Sequence, residues 1–362
     1  MYTIDLFGLV LTRSQAGSSI NILIGKPLNR KIIYGDIGGT KTILQLAEVK
    51  DGVVYQLFEQ RYDSQTFINF ADLLRDFLNR SAVAHPPVAA CFAVAGPIVA
   101  QQVTLTNLLW QISSAAITDE FSIPNVKLIN DFEGAALAVE DLSLGDLVTL
   151  QTGQTHAHAM RVVLGAGTGM GVAWLPWLEG RYFALSTEAG HIDFAPTNKL
   201  QVSLFETLHD KFGHVSVERL LSGSGLTNIF NFLQMHQITS SGLTATHLKE
   251  DSGATITTLA QTHRHPIAIK SLNLFAEIYG AYAGNLALAG LCRGGVYIAG
   301  GIAPKIINIL KSGGFMRAFR DKGRFSALMN EIPVHVITNT EISLLGAKHE
   351  AHHLLKTTNS QN

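Results

Sequence analysis

KIIYGDIGGTKTILQLAEVKDGVVYQLFEQRY, residues 31–62, sets a glycine turn between two apolar runs, and Asp51 and Gly52 supply a second turn before a third run. Apolar runs of this length bounded by Gly and Asp suit strands better than a helix. The segment is therefore expected to be an antiparallel meander. That reading separates the loop from two familiar phosphate binders. A Walker loop needs G-x-x-x-x-G-K-[ST] ahead of a helix, but the window from Gly35 to Thr42 has Thr40 where its last glycine belongs, and no helix is expected after it. The dinucleotide fingerprint G-x-G-x-x-G is absent, and Ile43–Val49 does not read as the start of a helix. What remains is a glycine hairpin with one acidic residue, Asp36, at its mouth.

Working outward, RVVLGAGTGMGVAWL at 161–175 repeats the pattern. A shift of 130 puts Gly165 on Gly35 and Gly169 on Gly39, with apolar strands on either side, which points to an internal duplication. Asp36 meets Ala166 in that alignment, so only the first hairpin brings a carboxylate. A third cluster, GGVYIAGGIAPKI at 294–306, reads as a strand ending in Gly300 and Gly301 and running into a helix, a way to bring backbone against a flat ring. Between these clusters, Phe67–Leu78 has helical spacing, Val88–Val94 and Val126–Ile129 read as strands, and Phe132–Val139 reads as an Ala-rich helix. Strands mixed with helices around two glycine hairpins predict two α/β domains with a cleft between them.

Composition narrows the function classes. The chain has 362 residues, enough for about two domains of roughly 150 residues each. With 15% charged and 47% hydrophobic residues it is a folded globular sequence. Lys and Arg number 27 against 28 Asp and Glu, so no basic field exists to gather nucleic acid. Cys91 and Cys292 are the only cysteines, too few for a disulfide framework or a four-thiolate zinc site. The most apolar stretch, Leu274–Ala299, is interrupted by Glu277, Asn285 and the Arg293, Gly294, Gly295 run, and each charge would cost roughly 3 kcal/mol in lipid. It reads as a core helix followed by a buried strand. The run Ile4–Leu11 has no basic residue before it, unlike a secretory signal, so a cytoplasmic protein is expected.

Several polar residues stand where chemistry is done. Asn130 and Asp131 follow the strand Val126–Ile129, at the carboxyl end where open α/β sheets present ligand groups. They also suit a helix cap, and the two roles are compatible. An aspartate there could take a proton from a hydroxyl nucleophile. LSTEAGHIDFAP, 185–196, gathers Glu188, His191 and Asp193 around a glycine, groups that suit a polyol because each sugar hydroxyl both donates and accepts; as hard ligands they could alternatively hold a metal. HVSVERLLSGSGL, 214–226, puts Glu218 on an expected helix. Near the end, His349, Glu350 and His353 match H-E-x-x-H, but Leu354–Asn362 supplies no third ligand, so neither a metalloprotease nor a resident metal site is expected.

Taken in order, GDIGGTK at 35–41, CFAVAGPI at 91–98, TNLLW at 106–110, INDFEGA at 129–135, LGAGTGMGVA at 164–173, STEAGHIDFAP at 186–196, GHVSVERLLSGSGL at 213–226 and IAGGIAPK at 298–305 resemble the bacterial glucokinases. These belong to the hexokinase and actin-like ATPase superfamily. The resemblance covers about residues 31–355. It implies a two-domain actin-like ATPase fold of ribonuclease H-like α/β type with an interdomain cleft: residues 31–141 plus 340–362 as a small domain and 142–339 as a large one. Residues 1–30 have no counterpart and are read as an extension. Lys41 stands where such glucokinases carry asparagine and looks more like the broader ROK group, whose cysteine-rich zinc motif is absent here.

The resemblance also implies roles. Asp131 would be the catalytic base, and Asn130, Asp131, Glu188, His191 and Glu218 would hold glucose. Asp36, Gly38, Gly39, Thr40 and Lys41, with Gly165, Thr168 and Gly169, would grip ATP phosphates, and Gly300 and Gly301 would lie against the adenosine. ATP with Mg²⁺, a glucose acceptor and a homodimer follow from the same family, and the domains are expected to close on the sugar before transfer. The alternatives are a kinase for another hexose or an amino sugar, and a sugar-sensing regulator on the same fold, for which residues 1–30 offer no clear DNA-binding helix pair.

Overall fold

The structure is a computed structural model that describes residues 5–6, 9–13, 20–24, 30–105, 108–241 and 252–360. Thr106 and Asn107 of the TNLLW window, and much of the 1–30 extension, lie outside the described residues. The chain forms two compact units, one of residues 1–128 and 350–362, the other of residues 129–349.

The first unit carries the expected meander: β1 (Lys31–Ile37), β2 (Lys41–Lys50) and β3 (Val53–Asp63). β1 and β2 pair antiparallel, as do β2 and β3. Asp51 (φ 51°) and Gly52 (φ 78°) both take the left-handed conformation, the geometry that matches a tight hairpin to the strand twist. Helix α1 runs Phe70–Arg80 and starts three residues later than its spacing suggested, because Asn69 Oδ1 accepts the Asp72 N–H at 2.8 Å and fixes the first turn there. β4 (Ala89–Val94) lies parallel to β1, and β5 (Asn125–Asn130) completes a sheet of order β5-β4-β1-β2-β3. Ile33, Leu44, Phe70, Phe77 and Phe92 are buried in its core.

The second unit repeats this wiring. After α2 (Asp131–Leu137) come β6 (Leu147–Gln151), β7 (Arg161–Ala166), β8 (Met170–Leu175) and β9 (Leu185–Thr187). Then follow α3 (Gly223–Ser241), α4 (Pro266–Ala289), β10 (Gly295–Ala299), β11 (Val334–Ile337) and α5 (Ile342–Ser360). The sheet order is β6-β11-β10-β7-β8-β9. β7 pairs antiparallel with β8 and parallel with β10, as β1 does with β2 and β4, so the duplication read from the glycines is present in the topology. The turns differ by one residue: Ile37 pairs with Thr42, whereas Ala166 pairs with Met170. The apolar Leu274–Ala299 stretch is the end of α4, then β10, both core elements, and among the described residues no helix is long and apolar enough to cross a membrane.

The division falls after Leu128 and before Glu350, rather than at the expected 141/142 and 339/340. The reason is packing. α2 lies on β7 and β8, where a Cβ on Gly171 would come within 2.1 Å of the Phe132 ring. Gly346 of α5 rests on the Gly134 backbone so closely that a Cβ would meet its carbonyl oxygen at 1.8 Å. Residues 129–141 and the first turns of α5 thus group with the second sheet.

Candidate active site

Asn130 ends β5 and caps α2. Its Oδ1 accepts the Phe132 N–H at 2.9 Å, and Asp131 Oδ1 accepts the same N–H at 3.0 Å. The cap and the sheet-end position therefore coincide in one residue, as the sequence allowed. Ser343 Oγ donates to the Asp131 carbonyl at 3.1 Å, tying the start of α2 to α5. Burial pushes the Asp131 carboxyl above its ordinary value, against hydrogen bonds from Phe132, its own amide and Asn130 that favour the anion. A carboxylate with raised proton affinity at the carboxyl end of a strand is suited to act as a base.

The β7–β8 turn, Gly167–Gly169, sits against the end of β10. Gly165 and Gly300 are required by that contact: a Cβ on Gly165 would lie 2.7 Å from the Ala299 carbonyl carbon, and one on Gly300 (φ 81°) would lie 2.5 Å from the Ala166 oxygen. Nothing approaches within 4 Å of a Cβ at Gly167 or Gly301, so there is open space beside the chain at both; the Gly167 N–H is spent on the Gly169 carbonyl at 2.8 Å, and Thr168 between the turn glycines is exposed. The turn is held from within by the buried Tyr279, whose hydroxyl oxygen accepts the Ala166 N–H at 3.1 Å.

Glu218 was expected on a helix. It stands instead on a single 3-10 turn, Val217–Arg219, because α3 does not begin until Gly223. Ser216 bridges to Asp193, and the Val217 N–H is spent on the Ile192 carbonyl at 3.0 Å, which fixes the segment to its neighbour before a helix can form. The result brings Glu218 to the glycine turn, where its Oε2 accepts the Met170 N–H at 2.9 Å.

Glu188 precedes and His191 ends one 3-10 turn, Ala189–His191, with His191 Nε2 3.8 Å from Glu188 Oε2 and both side chains exposed. The turn is pinned below: Tyr282 Oη donates to the Ala189 carbonyl at 2.7 Å, and a Cβ on Gly190 would strike the Met170 oxygen at 2.1 Å. Asp193 pairs with His214 at 2.9 Å. Among the described residues no group of three His, Cys, Asp or Glu side chains is arranged to hold a metal. In the H-E-x-x-H stretch of α5, Glu350 is buried and ion-paired with Lys127 at 2.7 Å, and His349 bonds Asp141 at 3.0 Å.

In the first unit, Asp36 is the penultimate residue of β1, while Gly38, Gly39 and exposed Thr40 and Lys41 form the turn into β2. Its carbonyls are tied back: Gly38 N–H donates to Lys41 O at 3.0 Å, Ser64 N–H to Thr40 O at 3.0 Å, and Ser64 Oγ to Gly38 O at 2.8 Å. The Gly39 amide lies across a trans peptide from the tied Gly38 carbonyl and so points the other way, as an anion-binding turn requires. Ser64 and Thr42 are wholly buried, with their hydroxyls 2.9 Å apart. Sequence reasoning missed Ser64; its only signal was a hydroxyl residue just past the third run of the meander.

Against known proteins, residues 33–354 match the sequence model of the glucokinase family. The chain is 38% identical over 332 residues to the glucokinase of Nostoc sp., covering 87% of this chain and 97% of that one. With the glucokinase of Synechocystis sp. it is 40% identical over 341 residues, covering 87% and 96%. The chain belongs to the glucokinase family. A crystal structure of a glucokinase from an Antarctic psychrotroph superposes with a TM-score of 0.81 at 34% identity, covering 90% of this chain and 99% of that one. A ROK family glucokinase from Streptomyces griseus, solved with glucose and AMPPNP, shares the actin-like ATPase fold at a TM-score of 0.57 and 19% identity, covering 89% and 99%.

Proposed function

We propose that the chain is an ATP-dependent glucokinase that moves the γ-phosphoryl group of ATP to O6 of glucose, giving glucose 6-phosphate and ADP. The observation that carries this reading is Asp131: a half-buried carboxylate of raised proton affinity, held at the carboxyl end of β5 by the Asn130 cap, in the same unit as Glu188, His191, Glu218 and the Gly167–Gly169 turn. Glucose O6 attacks the γ-phosphorus in line as the bond to the β,γ-bridging oxygen breaks. Asp131 orients the hydroxyl and takes its proton, while the bridging oxygen leaves on ADP with the electron pair. Asn130, Glu188, His191 and Glu218 pair with the remaining sugar hydroxyls. The amides of Thr168 and Gly169, and the Gly39 amide of the Asp36–Lys41 hairpin in the first unit, would face phosphate oxygens, the Gly167 and Gly38 amides being spent within their own turns, and Gly300 and Gly301 would bound the adenosine.

Mg²⁺ belongs to this reading as part of the MgATP substrate. Its oxygen ligands would come from phosphates, water and a carboxylate such as Asp36, and it would neutralise phosphate charge. A cytoplasmic homodimer is the assembly we infer from the family.

The test is a coupled assay of ADP release with glucose, mannose, fructose and N-acetylmannosamine. Release strongest with glucose supports the reading. Release favouring another sugar would reassign the acceptor, and no sugar-dependent release would point to a sugar sensor.

A further inference from the structure

The segment from Ser216 to Gly225 grips the Gly167–Gly169 turn at both ends. Just past the turn, Glu218 Oε2 accepts the Met170 N–H at 2.9 Å; at its first residue, the Gly223 N–H donates to the Gly167 carbonyl at 2.9 Å. The two grips are joined by the buried Ser222, whose Oγ donates to the Glu218 carbonyl at 2.8 Å and accepts the Gly225 N–H at 3.0 Å. The same segment is fastened to the Glu188–Asp193 stretch through Val217 N–H to Ile192 O at 3.0 Å and Phe194 N–H to Val215 O at 2.9 Å. Gly169 is what admits the carboxylate, since a Cβ there would lie 2.6 Å from Glu218 Oε2. The Gly169 backbone is not in the left-handed region, so the missing side chain serves that approach and not a strained turn.

A carboxylate serving only sugar hydroxyls would need no backbone partner in the phosphate turn. We propose that Glu218 is also a positioning residue for the nucleotide, its hydrogen bond to Met170 coupling the affinities for sugar and ATP. The inference rests on the glucokinase reading above. A hydroxyl bound to one carboxylate oxygen orders the side chain, and the other oxygen then orders the turn. By linkage each ligand raises the affinity for the other by the same factor.

Two substitutions at Glu218 separate this from a sugar contact alone. Glu218→Gln keeps an oxygen that can accept the Met170 N–H, while Glu218→Ala keeps none. Both are expected to raise the KM for glucose. At saturating glucose, the KM for ATP is expected to rise about tenfold in Glu218→Ala and less than about twofold in Glu218→Gln, the size of one lost hydrogen bond to a charged group. Gly169→Ala supplies an independent reading. Its new Cβ meets only the movable end of Glu218, so Tm is expected to hold while the glucose Kd, measured by tryptophan fluorescence without nucleotide, rises about tenfold. An unchanged ATP KM in Glu218→Ala, equal rises in the two Glu218 variants, or an unchanged glucose Kd in Gly169→Ala would each overturn the coupling. Loss of sugar-dependent ADP release in the unsubstituted chain would instead remove the parent reading.

Discussion

Replacing Asp131 by asparagine removes the charge while keeping the shape. Asparagine Oδ1 can still accept the Phe132 N–H now held at 3.0 Å, so the start of α2 should keep its cap. The carboxylate is a half-buried anion whose proton affinity is raised by desolvation, and its loss relieves that cost, so Tm should not fall. What disappears is the proton acceptor. A positioned general base is worth about 10²–10⁴ in rate, and the midpoint of three decades corresponds to about 4 kcal/mol at 1.36 kcal/mol per decade. The glucose Kd should change far less, by about tenfold or under, because an amide oxygen still accepts a hydroxyl. The assay is ADP release at saturating glucose and MgATP, with glucose binding measured separately. The pH profile adds a second check. The ionised form is the base, so kcat/KM rises with pH through a raised carboxyl, placing the acid limb above the ordinary value of 3.8. That limb should vanish in the variant. Turnover within tenfold of the unsubstituted chain, or an unchanged acid limb, would refute the assignment of Asp131 as base.

Ser64→Ala removes the hydroxyl that holds the Gly38 carbonyl and strands the buried Thr42 hydroxyl, so a stability loss of about 1–3 kcal/mol is expected in denaturant melts. The KM for ATP should rise with it while the glucose Kd without nucleotide stays put; a parallel change in both would assign Ser64 a purely structural role. His335, half-buried beside Tyr297 with Nδ1 3.0 Å from Thr149 Oγ1, has its pKa lowered by burial. The unfolded chain therefore takes up a proton near 6.5 that the folded state refuses, and stability falls as pH drops through that value. His335→Gln should lose less Tm between about pH 7.5 and about pH 5.5 than the unsubstituted chain, and an identical drop would show that other groups govern the acid side.

Much of the scaffold is legible from residues that meet close neighbours in sequence. The β1–β2–β3 meander follows from apolar runs separated by Gly38-Gly39 and Asp51-Gly52, because turn chemistry acts over four residues. Asn130 could be read as a cap because its partner, the Phe132 amide, is two residues away. The offset of 130 between the glycine hairpins anticipated a repeated sheet, since strand period and turn spacing repeat together.

The parts that sequence misplaced depend on distant partners. Helical spacing around Glu218 was overridden when Val217 and Ser216 bonded Ile192 and Asp193. Ser64 reaches a carbonyl 26 residues away, and no local pattern marks a serine for that task. The H-E-x-x-H match is real on α5, yet Glu350 is committed to Lys127, 223 residues distant.

By itself, then, the sequence determined the strands, the glycine turns, the Asn130 cap and the family to which the chain belongs, because turns, caps and periodicity are settled within a few residues. Only the tertiary structure decided that Glu218 meets the Met170 amide 48 residues away, that Gly171 and Gly346 exist to admit α2, and that the division falls at Leu128. Those contacts depend on which faces pack together, and packing is a property of the whole core that no short window encodes.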